Sequence, residues 1–149
     1  MGDYKIDYQV HLHRDFEGTN YTEIGPGKFS GKYWQPGFIF ISEDAFRMAG
    51  GIVARNVKEY DPWAHFDIHK RTGIGLITEW KTASSYVRTQ PIDELWRTLG
   101  LYAPNDIALE HDKKEVNDHR TEIARMFTDL ATETSRFLEQ AEWICIIGI

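Results

Sequence analysis

Residues 63–80 read WAHFDIHKRTGIGLITEW, and the fold turns on how this stretch is parsed. Ala64, Phe66 and Ile68 alternate with His65, Asp67 and His69, the period of two of a half-buried strand. Lys70-Arg71-Thr72-Gly73 can supply a turn, with Gly73 able to take positive φ. Ile74, Leu76, Thr78 and Trp80 alternate on the return, and only Ile77 breaks the pattern. The alternation predicts a β-hairpin. Its apolar face would hold Phe66, Ile68, Ile74, Leu76 and Trp80, and its polar face His65, Asp67, His69 and Glu79.

Upstream, Tyr4, Ile6, Tyr8, Val10 and Leu12 alternate with polar residues and predict a strand over Tyr4–His13. The periodicity fades from Asp15 to Pro26, where Gly18-Thr19-Asn20 and Gly25-Pro26-Gly27 mark loops. Lys28–Trp34 is a candidate short strand interrupted by Gly31, and Phe38–Ile41 is a short apolar strand. Ser42 is placed to cap a helix with Glu43 and Asp44 in its first turn and Phe46, Ala49 and Val53 on its apolar stripe. Gly50-Gly51 weakens the middle of that helix.

Downstream, Pro91 opens a helix carrying Ile92, Leu95, Trp96 and Leu99, and Gly100 ends it. No Gly or Pro falls between Pro104 and Gly148, while Val116, Ile123, Phe127, Leu130, Phe137 and Ala141 recur at helical spacing. Trp143–Ile147 reads as a final strand. The order of elements predicts an α+β fold with residues 1–149 as one domain. Its antiparallel β-sheet would contain Tyr4–His13, Phe38–Ile41, Ala64–His69 and Ile74–Trp80, packed by a long C-terminal amphipathic helix and two shorter helices.

Composition bounds the function. With 149 residues and 42% hydrophobic content the chain can bury a core. Its one cysteine, Cys145, lies in an apolar run, which rules out an intrachain disulfide and suits a reducing compartment and an inert thiol. The N-terminal stretch MGDYKIDYQVHLHR lacks the continuous apolar segment of a signal peptide, and the longest apolar run is too short to span a membrane. The expectation is a soluble, cytoplasmic protein. The net charge of −6 opposes nucleic-acid binding, which needs a surplus of Lys and Arg, and favours a basic protein partner. The sequence sets no oligomeric state.

Histidine spacing is the strongest chemical signal. His11-x-His13 puts two imidazoles on one face of the first strand, and His65-x-Asp67-x-His69 repeats the arrangement further on. Were those strands neighbours, His11, His13, His65, Asp67 and His69 could hold Zn or Fe with an open position. Equally, both sets suit the solvent face of an antiparallel sheet. The run His11-Leu12-His13-Arg14-Asp15-Phe16-Glu17 resembles the first metal motif of the cupin family, H-x-H-x3-E, over these seven residues alone. Lys5 stands where that family has a glycine, and no downstream His and Asn motif follows, so the family's metal chemistry is not carried over. Gly25-Pro26-Gly27-Lys28 departs from a phosphate loop at Thr22 and Phe29, and no nucleophile elbow surrounds Ser84-Ser85.

The acids Asp106, Glu110, Asp112, Glu115, Asp118 and Glu122 crowd the approach to the last helix, off its apolar stripe. They are therefore expected to be dispensable for folding and able to steer a basic partner. In size, acidity and lack of a catalytic motif the chain resembles bacterial immunity proteins. That resemblance implies a non-enzymatic cytoplasmic inhibitor that neutralises a basic toxin, such as a nuclease, by protein–protein binding. The alternatives are a metal-dependent hydrolase or oxygenase built on the His/Asp set, and a small-ligand-binding α+β module.

Overall fold

The computed structural model describes residues 5–12 and 20–148. In chain order it forms β1 (His11–Leu12), β2 (Tyr21–Pro26), β3 (Ile39–Ser42), α1 (Glu43–Asn56), β4 (His65–His69), α2 (Lys70–Thr89), α3 (Ile92–Thr98), α4 (Asp106–Asp118), α5 (Arg120–Gln140) and β5 (Trp143–Gly148). The five strands make one antiparallel sheet in the order β1-β3-β2-β5-β4. The fold is α+β, as the sequence predicts, but several elements differ.

The largest difference falls on residues 63–80. His65–His69 is a strand, but the return arm is not: Ile74–Trp80 belongs to the 20-residue helix α2. The His69 ring caps it, its Nδ1 accepting the Arg71 N–H at 3.2 Å. The buried residues Gly73, Leu76, Ile77, Trp80, Ala83, Ser84 and Val87 follow a helical period that continues seven residues past Trp80. Ile74 and Thr78, apolar-face and in-phase members of the expected strand, are exposed, whereas Ile77, which the alternation could not place, is buried. Gly73 serves close helix packing rather than a turn, since a Cβ there would lie 2.7 Å from Leu138 Cδ1.

The sheet's central strand β2 lies where loops were expected. Thr22 and Ile24 face the helices, while Tyr21 and Glu23 face away. Gly25 is required inside it, because a Cβ there would overlap the Phe38 ring. At the N-terminus only His11–Leu12 pair with β3 among the described residues, and Lys5–Val10 is not strand. Tyr4 and His13 lie outside the described residues. Lys28–Trp34 is loop, not strand. The expected single C-terminal helix is two helices meeting at His119, which has φ −128° and ψ 29°. Arg120 anchors that corner by donating from Nη1 to the Val87 and Gln90 carbonyls at 2.9 and 2.6 Å.

The helices cover one face of the sheet. Ile24, Ile39, Ile41, Ile68, Ile144 and Ile146 point into a core shared with Trp80, Phe127 and Leu130. The opposite face carries a smaller cluster of Tyr21 and Phe40 with Trp34 and Phe38 from the following loop. Leu130 is fully buried on the α5 stripe. Leu130→Ala should therefore lower stability by about 2–5 kcal/mol, measured by urea unfolding.

Candidate functional site: a groove on the outer face of α1

Ser42 caps α1 with its side chain, accepting from the Ala45 N–H at 3.3 Å. Ala45, Phe46, Met48, Ala49, Ile52 and Val53 face the core. The opposite stripe, Arg47, Gly50, Gly51 and Ala54, is spaced three, four and seven residues along the helix and floors a groove of about 410 Å³. One wall is Tyr60, Pro62 and Trp63 from the α1–β4 connection. The other is Trp96 of α3 with Leu101, Tyr102 and Pro104 from the α3–α4 connection. Trp63 is 65% exposed and Tyr102 80%, so aromatic rings form the groove's rim.

Backbone geometry sets the width. A Cβ on Gly51 would overlap the Leu99 carbonyl oxygen, so this glycine lets the end of α3 approach α1. Arg55 secures the approach by donating from Nη1 to the Thr98 carbonyl at 2.7 Å. Gly100, at φ +64°, then turns the chain away. Gly50 has no such packing role: the nearest atom to a Cβ there is a Tyr60 ring carbon at 3.8 Å, an ordinary contact.

Charge enters from Glu43 and Asp44 at the start of α1 and from Asp112 of α4. Asp112 Oδ1 accepts from Arg47 Nη2 at 3.0 Å, pairing the groove's basic side chain. Partial burial, and then the Asp44 charge, raise the Glu43 carboxyl above the ordinary glutamate range. Burial, with Asp61 nearby, pushes the Tyr60 phenol up to about 12, so it is neutral at physiological pH.

The sequence-expected metal residues do not converge. His11 lies on β1 and His65, Asp67 and His69 on β4, at opposite edges of the sheet. Four strand spacings separate those edges by roughly 19 Å. His13 lies outside the described residues. The histidines and Asp67 do share the face turned away from the helices, as a solvent-face reading requires, but there they hold loops and caps. Asp67 Oδ1 accepts the Phe29 N–H at 2.8 Å, and the His65 ring packs 4.5 Å from the Phe29 ring. His69 Nδ1 is committed to the α2 cap, and its ring meets Trp143 edge-on at 5.1 Å. Among the described residues no three His, Cys, Asp or Glu side chains gather as a metal site.

The six acids divide. Asp106, Glu110, Asp118 and Glu122 are exposed. Asp112 is only 7% exposed and bridges α4 to α1 through Arg47. Glu115 Oε1 accepts from the Tyr8 hydroxyl at 2.9 Å, tying the N-terminal segment to α4. Asp112 and Glu115 thus carry side-chain contacts to α1 and to the N-terminal segment that the expectation of six acids free of any structural role did not include. Sequence reasoning missed the groove residues Tyr60, Trp63, Trp96 and Tyr102. The available signal was Gly50 within an otherwise good helix, beside two loops that each carry aromatics.

Cys145 is buried on the sheet face opposite the helices, and burial, followed by Asp67 and Glu23, pushes its thiol up to about 12. Native protein should resist iodoacetamide at neutral pH and react once unfolded, as read by intact mass. Gly50→Ala should raise stability by about 0.5–1 kcal/mol through helix propensity. Gly51→Ala should lower it, because its clash is with backbone; urea unfolding of both variants checks the contrast.

A scan against protein-family models finds no match, and searches of curated proteins and of solved structures return no significant match.

Proposed function

We propose that this chain is a non-enzymatic binding protein, a cytoplasmic inhibitor of the immunity type that neutralises a basic bacterial toxin, such as a nuclease, by covering it. The observation that supports the reading best is the exposure of Trp63 and Tyr102 on the rim of one groove with Glu43 and Asp44 at its end. Large aromatics exposed beside acids are the composition of a protein-binding hot spot facing a basic partner. The exposed acids of α4 and the start of α5, Asp106, Glu110, Asp118 and Glu122, extend the negative field from which such a partner would be drawn. Among the described residues no helix is long and apolar enough to cross a membrane.

The test is co-expression with the C-terminal domain of a large secreted protein encoded directly upstream. The expected result is rescue of growth and a stoichiometric complex that survives gel filtration. Recovery of a bound metal or small molecule in place of a protein would overturn the reading. Within such a complex, reversing Asp106, Glu110, Asp118 and Glu122 together should slow association at low salt. The effect should shrink as salt screens the charges, and the melting temperature should hold nearly constant, since these side chains lie outside the core. Surface-immobilised kinetics at two salt concentrations measure both effects.

A further inference from the structure

We infer that the groove on α1 is a pocket for a long cationic side chain, an arginine or lysine presented by an amphipathic segment of the protein partner. The inference rests on the binding-protein reading and specifies where and by what chemistry the partner is gripped. Three features of the groove carry it.

Its charge is negative where it ends. Glu43, Asp44 and Asp112 line it against one base, Arg47, and Arg47 is paired with Asp112 at 3.0 Å. Glu43, in the first turn of α1, is the carboxylate the groove offers an incoming group. An anionic side chain would meet repulsion there, and an uncharged one would desolvate Glu43 without compensation.

Its lining is rich in aromatics, with Tyr60 and Trp63 from the α1–β4 connection and Trp96 and Tyr102 from α3 and the connection after it. Aromatic faces attract cations through the ring quadrupole, and an apolar wall suits the methylene stem that carries the charged head. The aromatic lining and the acids thus select the same side-chain type. At about 410 Å³ the groove exceeds one such side chain, leaving space for an apolar neighbour one helical turn away. Gly50 keeps that floor low, although an alanine would fit the fold there without a close contact.

The probe is an 18-residue helical peptide with leucines on one face and arginines on the other, compared with a peptide in which glutamate replaces arginine. Binding is followed by NMR through the indole N–H resonances of the five tryptophans, assigned by Trp→Phe variants. The expected result is saturable shifts at Trp63 and Trp96, with buried Trp80 unmoved, for the arginine peptide only. Trp63→Ala with Tyr102→Ala, both at exposed positions, should weaken binding by about tenfold or more with the fold intact by circular dichroism. No shift at Trp63 and Trp96, or equal binding to the double variant, overturns the inference. Equal affinity for N-acetylargininamide also overturns it, because the groove would then be a small-ligand pocket. A toxin complex that forms normally with the double variant leaves the inhibitor reading standing and removes only the groove from it. Absence of any toxin complex beside groove-specific peptide binding does the reverse.

Discussion

The contact on which the rest of the structure depends is the close antiparallel packing of α2 against α5. It is built from small residues where the helices cross most closely: Gly73 lies against Leu138, and Ala83, Ala124 and Ala131 are buried. Ser84 fixes the register. Its hydroxyl donates to the Ala124 carbonyl at 2.8 Å, and its oxygen also sits 2.8 Å from Thr128 Oγ1. A buried hydroxyl satisfied in this way specifies one alignment, because sliding either helix would strand a polar group in the core. The pairing also dictates the sheet. β4 runs directly into α2, and α5 runs almost directly into β5, so adjacent helices deliver adjacent strands. The Lys70 N–H donating to the Glu142 carbonyl at 2.8 Å is the stitch where the two junctions meet.

β5 is thereby inserted between β4 and β2, and the last strand of the chain completes the middle of the sheet. The β2–β5 ladder joins residues more than a hundred positions apart, Thr22 to Gly148 at one end and Pro26 to Ile144 at the other. Such non-local pairing carries a loop-closure entropy that the ladder and the core beneath it must offset. On the far face the loop after β2 closes over the sheet around a buried carboxylate. Glu23 Oε1 accepts the Trp34 N–H at 2.7 Å, and Trp34 stacks on Phe40 at 4.6 Å while holding a φ of 58°. A tryptophan in the left-handed region is strained, and the hydrogen bond and the stack are what hold it there.

What the sequence made legible follows from where a single local pattern sufficed. The stripe Val116, Ile123, Phe127, Leu130 and Phe137 is buried, although its last expected member, Ala141, is the half-buried C-cap of α5; the Ser42 cap is where its side chain implied, and Trp143–Ile147 is a strand. The reading failed where two periods fitted one window. Over residues 74–80, alternation and helical spacing share Leu76 and Trp80, and within that window only Ile77 speaks for the helix; the residues beyond 80 complete its period. β2 was illegible because Gly25 and Pro26 look like a turn, whereas Gly25 answers to the Phe38 ring, a contact no local window contains. The break at His119 has no glycine or proline to announce it; it is imposed by Arg120 reaching the end of α2. The groove was illegible for the same reason. Its aromatics come from three separate segments, and only the crossing of α3 over Gly51 brings them together.

The Arg47–Asp112 pair joins a structural contact to the surface proposed to bind a partner. Arg47 projects from the floor of the groove, and left unpaired it would repel the basic partner that the overall charge favours. Asp112, held at 7% exposure by α4, engages that guanidinium and also fastens α4 to α1. The arginine side of the pair is more than half exposed, so the contact contributes only about 0–1 kcal/mol to stability, but it neutralises the one basic side chain in the groove's lining. Glu43 and Asp44 then dominate the end of the groove, while the exposed acids of α4 act only over a screening length of about 8 Å in physiological salt. Under the proposed binding role, charge outside the groove would bear on how fast a partner arrives and the aromatic lining on how long it stays, because desolvated ring contact is insensitive to salt. Those two proposed contributions would lie on different elements, the exposed acids of α4 and the start of α5 for arrival and the α1 groove for retention, and the groove stands apart from the buried α2–α5 contact on which the fold depends.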